Sequence, residues 1–360
     1  MKKTILFSLL IGMSLATLAN PIDVETARNV AENFFKSTSA QACTSKRLYR
    51  ASGKVDMQLV YEPSMNTRAS HAVAEYYVFA PMDSVGFVIV AGDDEVTPIV
   101  GYSTTSRFVG QHISPALSNY LSAYCIYMNS VWDGKAVRKT QMSENVTPVF
   151  PFISTTWNQD YPYNKDCPKI GGNATYTGCV PTVVAQIMNY YKWPNSGHGT
   201  CTATLNDASN TAVSTTLGEE YQWDNMIDNY YPADTYTTIQ ANAVSQLMKD
   251  VGYACSVHYG TDVTNAFAYN ALTALLRHFD YSPDILFVDR RYYSDMAWNK
   301  MIYNELKEGR PVWYRGNNEE GKEGHAFLCC GVDQQGSYYI NWGWGGWCDG
   351  YFDLDAVAPN

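Results

Sequence analysis

The sequence predicts an α+β protein in two parts, a small N-terminal α+β domain and a larger C-terminal one. Three observations carry this. Helix and strand periodicities alternate through the first 133 residues. A polar stretch interrupts them at 134–148. The last third reads as successive strands broken by glycine. With 360 residues, the chain can bury two cores.

The elements follow in order. Val24, Ala27, Val30, Ala31 and Phe34 mark one face of a helix over 22–37. Residues 57–64 read as a strand stopped by Pro63, and 75–80 and 86–92 as two strands about a short turn. Another strand follows at 97–102. Leu117, Tyr120, Leu121, Tyr124 and Met128 form the apolar stripe of a helix over 114–133. The stretch 134–148 carries Lys135, Arg138 and Lys139 and reads as an exposed linker open to nicking. Beyond it, loops rich in Pro, Asn and Tyr (157–175) lead into a helix that opens at Cys179. Helices are expected at 236–251, 264–279 and 295–307. Strands are expected at 253–259, 311–315, 324–333 and 337–344.

Composition narrows the function classes. Apolar residues make up 46% of the chain and charged ones only 17%, which excludes a disordered protein. The net charge is −10 and the only basic run is at the N-terminus, which argues against nucleic acid or an anionic membrane as partner. Met1-Lys2-Lys3, an apolar run over 5–18 and then Ala19-Asn20-Pro21 read as a signal peptide over 1–19. A retained N-terminal anchor is the competing reading. No other long apolar segment occurs, so the mature form is expected free of membrane. Nine cysteines in an exported chain leave at least one thiol unpaired. None has metal-ligand spacing, so neither a metal nor another cofactor is expected.

Cys179 follows Gly178 and opens a helix whose apolar residues, Val180, Val183, Val184, Ile187, Met188 and Tyr191, recur at helical spacing. Pro181 suits the first turn. The helix dipole favours a thiolate there, and Gly178 leaves room before the sulfur for a carbonyl. Read alone, Cys179 is more often a small core residue than a nucleophile. His325 opens a strand that turns at 334–336 and folds back as 337–344, which sets it across from Asn341, Trp342 and Trp344. A thiol, an imidazole and a third group that orients the ring make a nucleophilic site. The bland alternatives are a strand histidine bonded to backbone, a strand-end asparagine and core tryptophans.

Together these segments resemble the streptopain family of bacterial papain-like cysteine peptidases. The matching pieces are 157–164, 177–180, 185–188, 251–253, 324–327, 341–346 and 349–352. Residues 86–94 and 101–103 resemble the family's propeptide. The resemblance implies a papain-like catalytic domain over 148–360, preceded by an inhibitory prodomain over 20–140 and a cleavable linker over 141–147. It implies Cys179 as nucleophile, His325 as general base and then acid, and Gln159 as oxyanion donor. Asn341 and Trp344 compete to support the histidine. Gly178, Thr261 and Gly324 would line the substrate cleft, although the 259–262 loop lacks the family's serine/glycine-rich run. From its own residues, the polar, glycine-bounded loop 316–324 reads equally as a gate over the cleft or as an ordinary surface loop. Catalytic domains of the family generally continue past the equivalent of Asn360, which implies truncation or a longer protein. The expected protein is a secreted or cell-surface zymogen of a cysteine endopeptidase. Its partners would be protein and peptide substrates and its own propeptide. The rivals are an inactive peptidase-like adhesin or inhibitor and a thiol-dependent acyltransferase.

Overall fold

The computed structural model describes residues 20–42, 55–63, 73–110, 113–135, 146–233, 235–317 and 324–355. The expected signal peptide, most of the linker and most of the 316–324 loop lie outside them. In chain order the elements are α1 (Val24–Ala42), β1 (Met57–Tyr61), β2 (Tyr76–Pro81), β3 (Phe87–Ala91), β4 (Ile99–Ser103) and α2 (Pro115–Trp132). Then come β5 (Lys169–Ile170), β6 (Asn173–Ala174), α3 (Cys179–Tyr191), β7 (Gly199–Leu205), β8 (Ala212–Leu217), α4 (Thr238–Ala254), β9 (His258–Tyr259) and α5 (Ala268–His278). The C-terminal part adds α6 (Asp295–Lys307), β10 (Val312–Asn317), β11 (Gly324–Val332), β12 (Tyr338–Asn341) and β13 (Gly350–Phe352).

Eight strands form one antiparallel sheet in the order β1-β2-β3-β4-β13-β12-β11-β10. The N-terminal and C-terminal strands, expected in separate domains, are therefore continuous. The join is β4 with β13, where Tyr102 faces Tyr351 and Gly101 faces Phe352. Side-chain alternation gives the sheet two apolar faces. On one, α1 covers Tyr77, Phe79, Val88 and Val90, and α3 covers Ala326, Leu328 and Cys330. On the other, α2 and α6 lie over Tyr76, Phe87, Ile89, Phe327, Cys329, Ile340 and Phe352. This second core draws on both halves of the chain, where the sequence suggests one core for each. The reason is edge pairing: β12 occupies one edge of β13 and leaves the other open to a further strand. The N-terminal strands supply it.

Two glycines permit the join. A Cβ on Gly101 would lie 2.5 Å from the Phe352 ring, and one on Gly350 would lie 2.3 Å from the Tyr102 carbonyl oxygen. Around it, the Tyr102 hydroxyl donates to Asp333 Oδ2 at 2.9 Å in the interior, and its ring stacks on Tyr351 at 5.1 Å. The Tyr120 hydroxyl donates to the Asp353 carbonyl at 2.8 Å. The Asp353 N–H donates to the Val100 carbonyl at 3.0 Å.

Several elements differ from the expectation. The strand expected at 253–259 shrinks to His258–Tyr259, because α4 runs through Ala254. Gly252 lies within that helix, and a Cβ there would meet the Tyr259 hydroxyl at 2.1 Å, so the position accepts only glycine. The strand expected to reach 344 ends at Asn341, and Gly343, Gly345 and Gly346 then turn with positive φ. The hairpin of β7 and β8 has no counterpart in the reading, because Thr and Ser fill its exposed face and only Cys201, Ala203 and Leu205 of β7 point inward.

Replacing Tyr102 by Phe keeps the ring stack but leaves the buried Asp333 oxygen without its donor. We expect Tyr102→Phe to lower the stability of the full chain by about 1–3 kcal/mol in urea unfolding. An unchanged midpoint would show that the hydroxyl contributes nothing at the join.

Candidate active site

Cys179 is the first residue of α3, and Gly178 stands at the N-cap with φ 89° and ψ 155°. The positive φ favours glycine. A Cβ there would also lie 3.0 Å from both Cγ2 and the carbonyl oxygen of Thr264. The glycine therefore serves backbone conformation and packing against Thr264. The Gly178 carbonyl accepts from the Thr182 N–H at 3.2 Å and from its hydroxyl at 2.9 Å.

The helix is encased rather than amphipathic. Every residue from Val180 to Asn189 is buried, whereas Tyr191, expected in the apolar stripe, is 43% exposed. Burial of polar Gln186 is tolerated because its groups are satisfied. Its Oε1 accepts from the Thr155 hydroxyl at 2.9 Å and from Asn341 Nδ2 at 3.0 Å. Asn341 Nδ2 also donates to the Thr155 carbonyl at 2.7 Å, and its Oδ1 accepts from the Gly343 N–H at 2.9 Å. Asn341 thus ties α3 to the 155–157 segment and to the turn after β12, with both ends of its amide engaged.

The two tryptophans divide. Trp342 is 1% exposed and packs on Phe327, Phe352 and Tyr120 with ring centroids 5.1, 5.0 and 6.2 Å away. It is a core residue. Trp344 is half-buried. It lies beyond the end of β12, in the glycine turn, where the β11–β12 register no longer applies.

Two further segments converge on Cys179. The Gln159 carbonyl accepts from the Thr177 N–H at 3.0 Å, and its side-chain Nε2 donates to the Gly343 carbonyl at 3.4 Å. Gln159 is 9% exposed, so its amide lies inside, near the start of α3. Thr261 is exposed, but its loop is pinned next to Gly178. Thr264 Oγ1 donates to the Tyr176 carbonyl at 2.7 Å, and the Tyr176 N–H donates to the Gly260 carbonyl at 3.1 Å.

The sulfur accepts the Ala326 N–H at 3.5 Å. Burial pushes the Cys179 thiol up, while the N–H groups of Ala326 and Val180, its own N–H and the charge of Arg315 act in the opposite direction. In the β10–β11 ladder Arg315 faces Ala326, Gly316 faces His325 and Asn317 faces Gly324. Ala326, Leu328 and Cys330 project toward α3. Alternation then assigns His325, with Phe327 and Cys329, to the opposite face, that of α2 and α6. His325 is next in sequence to the residue that touches the sulfur, yet it leaves the strand on the other side. Sequence reasoning missed Arg315, Ala326, Gln186 and Thr264. For Arg315 the signal was the β10–β11 register, which follows only once both ends of that hairpin are fixed.

Asp349 sits in the interior beyond the Trp-Gly-Trp turn. Its Oδ1 accepts from the Trp342 N–H at 2.9 Å, and its Oδ2 has no hydrogen-bond partner among the described residues. Burial pushes its carboxyl up to about 7. Among the described residues eight cysteines are free, no cluster of three or more His, Cys, Asp or Glu forms a metal site, and no helix is long and apolar enough to cross a membrane.

Comparison with known proteins gives consistent matches. Residues 157–352 match the peptidase C10 family and residues 19–128 match the Spi protease inhibitor family. The thiol protease/hemagglutinin PrtT of Porphyromonas gingivalis is 30% identical over 95% of the chain, which spans 39% of that protein. Streptopain of Streptococcus pyogenes is 31% identical over 95% of the chain and 89% of streptopain. A prointerpain A fragment of Prevotella intermedia, bearing a cysteine-to-alanine mutation, superposes with a TM-score of 0.71 at 32% identity, over 84% of this chain and 94% of that one. Active wild-type interpain A of the same organism gives 0.54 at 37% identity, over 61% and 91%.

Asp349 yields a pH prediction. A carboxyl raised in the fold above the ordinary value of about 4 binds its proton more tightly there than in the unfolded chain. Its contribution to stability is present below about pH 4 and lost as the pH rises through about 7. We expect Asp349→Asn to flatten the decline in melting temperature between pH 5 and pH 8, roughly the span of that loss. Parallel wild-type and variant curves would refute it.

Proposed function

The chain belongs to the peptidase C10 family and carries an inhibitor-family domain before it, so it is a cysteine protease zymogen, and we propose that it is an exported endopeptidase with Cys179 as its nucleophile. The observation that carries this reading is the sulfur at the N-terminus of a buried helix, bonded to the N–H of Ala326, the residue after His325. Helix dipole and backbone donors favour thiolate. Burial opposes them, so the imidazole is needed to take the proton.

In the mechanism, His325 removes the thiol proton and the thiolate attacks a peptide carbonyl. The side-chain amide of Gln159 and the N–H of Cys179 hold the oxyanion. His325 returns the proton to the leaving amine, and water then hydrolyses the thioester. Trp344 shields and orients the imidazole. Gly178, Gly324 and the loop bearing Thr261 line the cleft. Residues 1–19 direct export, to the medium or the cell surface.

Latency follows from the hairpin. With His325 on the α2 face of β11, the base and the nucleophile are on opposite sides of one strand. Phe327 and Trp342 are packed together under Tyr120 of α2, so the prodomain supports this arrangement. Cutting the linker and losing α2 frees the end of β11 to turn His325 toward the sulfur.

A Cys179→Ala chain is expected to stay an intact precursor under conditions in which the wild type sheds its N-terminal domain. Self-cleavage by the purified variant would sink the assignment. In activated enzyme, Gln159→Ala is expected to lower kcat by roughly 100- to 1,000-fold, the usual effect of losing one oxyanion donor.

A further inference from the structure

The hairpin that presents Ala326 to the sulfur also presents a charged residue. Arg315 pairs directly across from Ala326, whose N–H lies 3.5 Å from Sγ. Residues paired this way have Cβ atoms about 4.5–5.5 Å apart and project to the same face. The neighbouring positions agree: Trp313, two residues before Arg315, packs in the same core as Ala326, Leu328 and the α3 side chains. Arg315 therefore leaves β10 on the face that carries the thiol, at an exposed position.

Among the described residues no carboxylate pairs with it. Arg28, Arg290, Arg291 and Arg310 each have a carboxylate within 4 Å. The side chains of Arg107, Arg277 and Arg315 have no ion pair among the described residues, and of these Arg315 is the one beside the thiol. Its charge acts at the sulfur. A planar fork of donors in that place matches a carboxylate bidentately.

We propose that Arg315 is a specificity residue, selecting substrates that carry a carboxylate beside the scissile bond. The proposal rests on Cys179 being the nucleophile. The carboxylate is that of an Asp or Glu side chain or of a free peptide C-terminus, and Arg315 recognises the shared chemistry.

The test uses the full chain after self-processing. Peptides carry Glu or Gln at each of the two positions on either side of the bond, with free or amidated C-termini. At one position Glu should exceed Gln in kcat/KM by about tenfold. Arg315→Gln should bring that ratio to about one, Arg315→Glu should reverse it, and Arg315→Lys should keep part of it. If amidation erases the preference and Glu-to-Gln exchange does not, the terminus is the carboxylate recognised. Equal loss on Glu and Gln peptides in Arg315→Gln would mean that the residue acts on the thiol, and would overturn the proposal.

A second measurement needs no turnover. In the unprocessed chain, Cys179 is alkylated with anionic iodoacetate or neutral iodoacetamide and followed by peptide mass. The ratio of the two rates should fall about fivefold in Arg315→Gln. An unchanged ratio overturns the proposal. A chain that cleaves no peptide would remove the peptidase reading instead, with the alkylation ratio still deciding whether Arg315 draws a carboxylate to the sulfur.

Discussion

Four backbone positions, Gly101 and Tyr102 on β4 with Tyr351 and Phe352 on β13, join the two halves of this molecule into one sheet. Much else depends on that ladder. It lets α2 and α6 share a core over Phe327, Trp342 and Phe352. It places Tyr102 where its hydroxyl reaches the interior carboxylate of Asp333, in the turn that follows β11. The inhibitory domain thereby acts as structure for the catalytic half, and the strand carrying His325 lies two strands away from the join.

The second constraint is the polar cluster within the catalytic core. A helix with no exposed residue between Val180 and Asn189 needs its Gln186 and Thr182 satisfied internally. Thr182 bonds to Gly178 and Thr177, and the Gln186–Asn341–Thr155 network satisfies Gln186 while fixing α3 against β12 and the segment leading to Gln159. An apolar contact would hold these pieces together without fixing their register; hydrogen bonds at 2.7–3.0 Å fix both. The position of Cys179, at the start of α3, is thus set by residues elsewhere in the core.

Much of this was legible in the chain. The α3 helix, the strands around His325, the prodomain strands and α2 follow from periodicity and glycine punctuation, and the spacing of Cys179, His325 and the Asn341–Gly346 run carried the family. The continuous sheet was not legible, because a pairing between residues some 250 positions apart leaves no local trace; Gly101 and Gly350 look like ordinary strand glycines until the strands meet. The side of the strand on which His325 emerges was also hidden. Alternation depends on register, and a shift of one residue exchanges the faces. The β7–β8 hairpin escaped for a simpler reason, since its exposed threonines and serines carry little apolar pattern.

The join is made chiefly of main-chain groups, and this bears on how the two halves can diverge over time. Amide and carbonyl groups are common to every residue, so the ladder itself does not depend on which side chains β4 and β13 carry, although those side chains fill the cores on both faces. Selection would act hardest on the absence of bulk at two positions, one in each half. A substitution elsewhere on either strand leaves the main-chain donors and acceptors of the join in place.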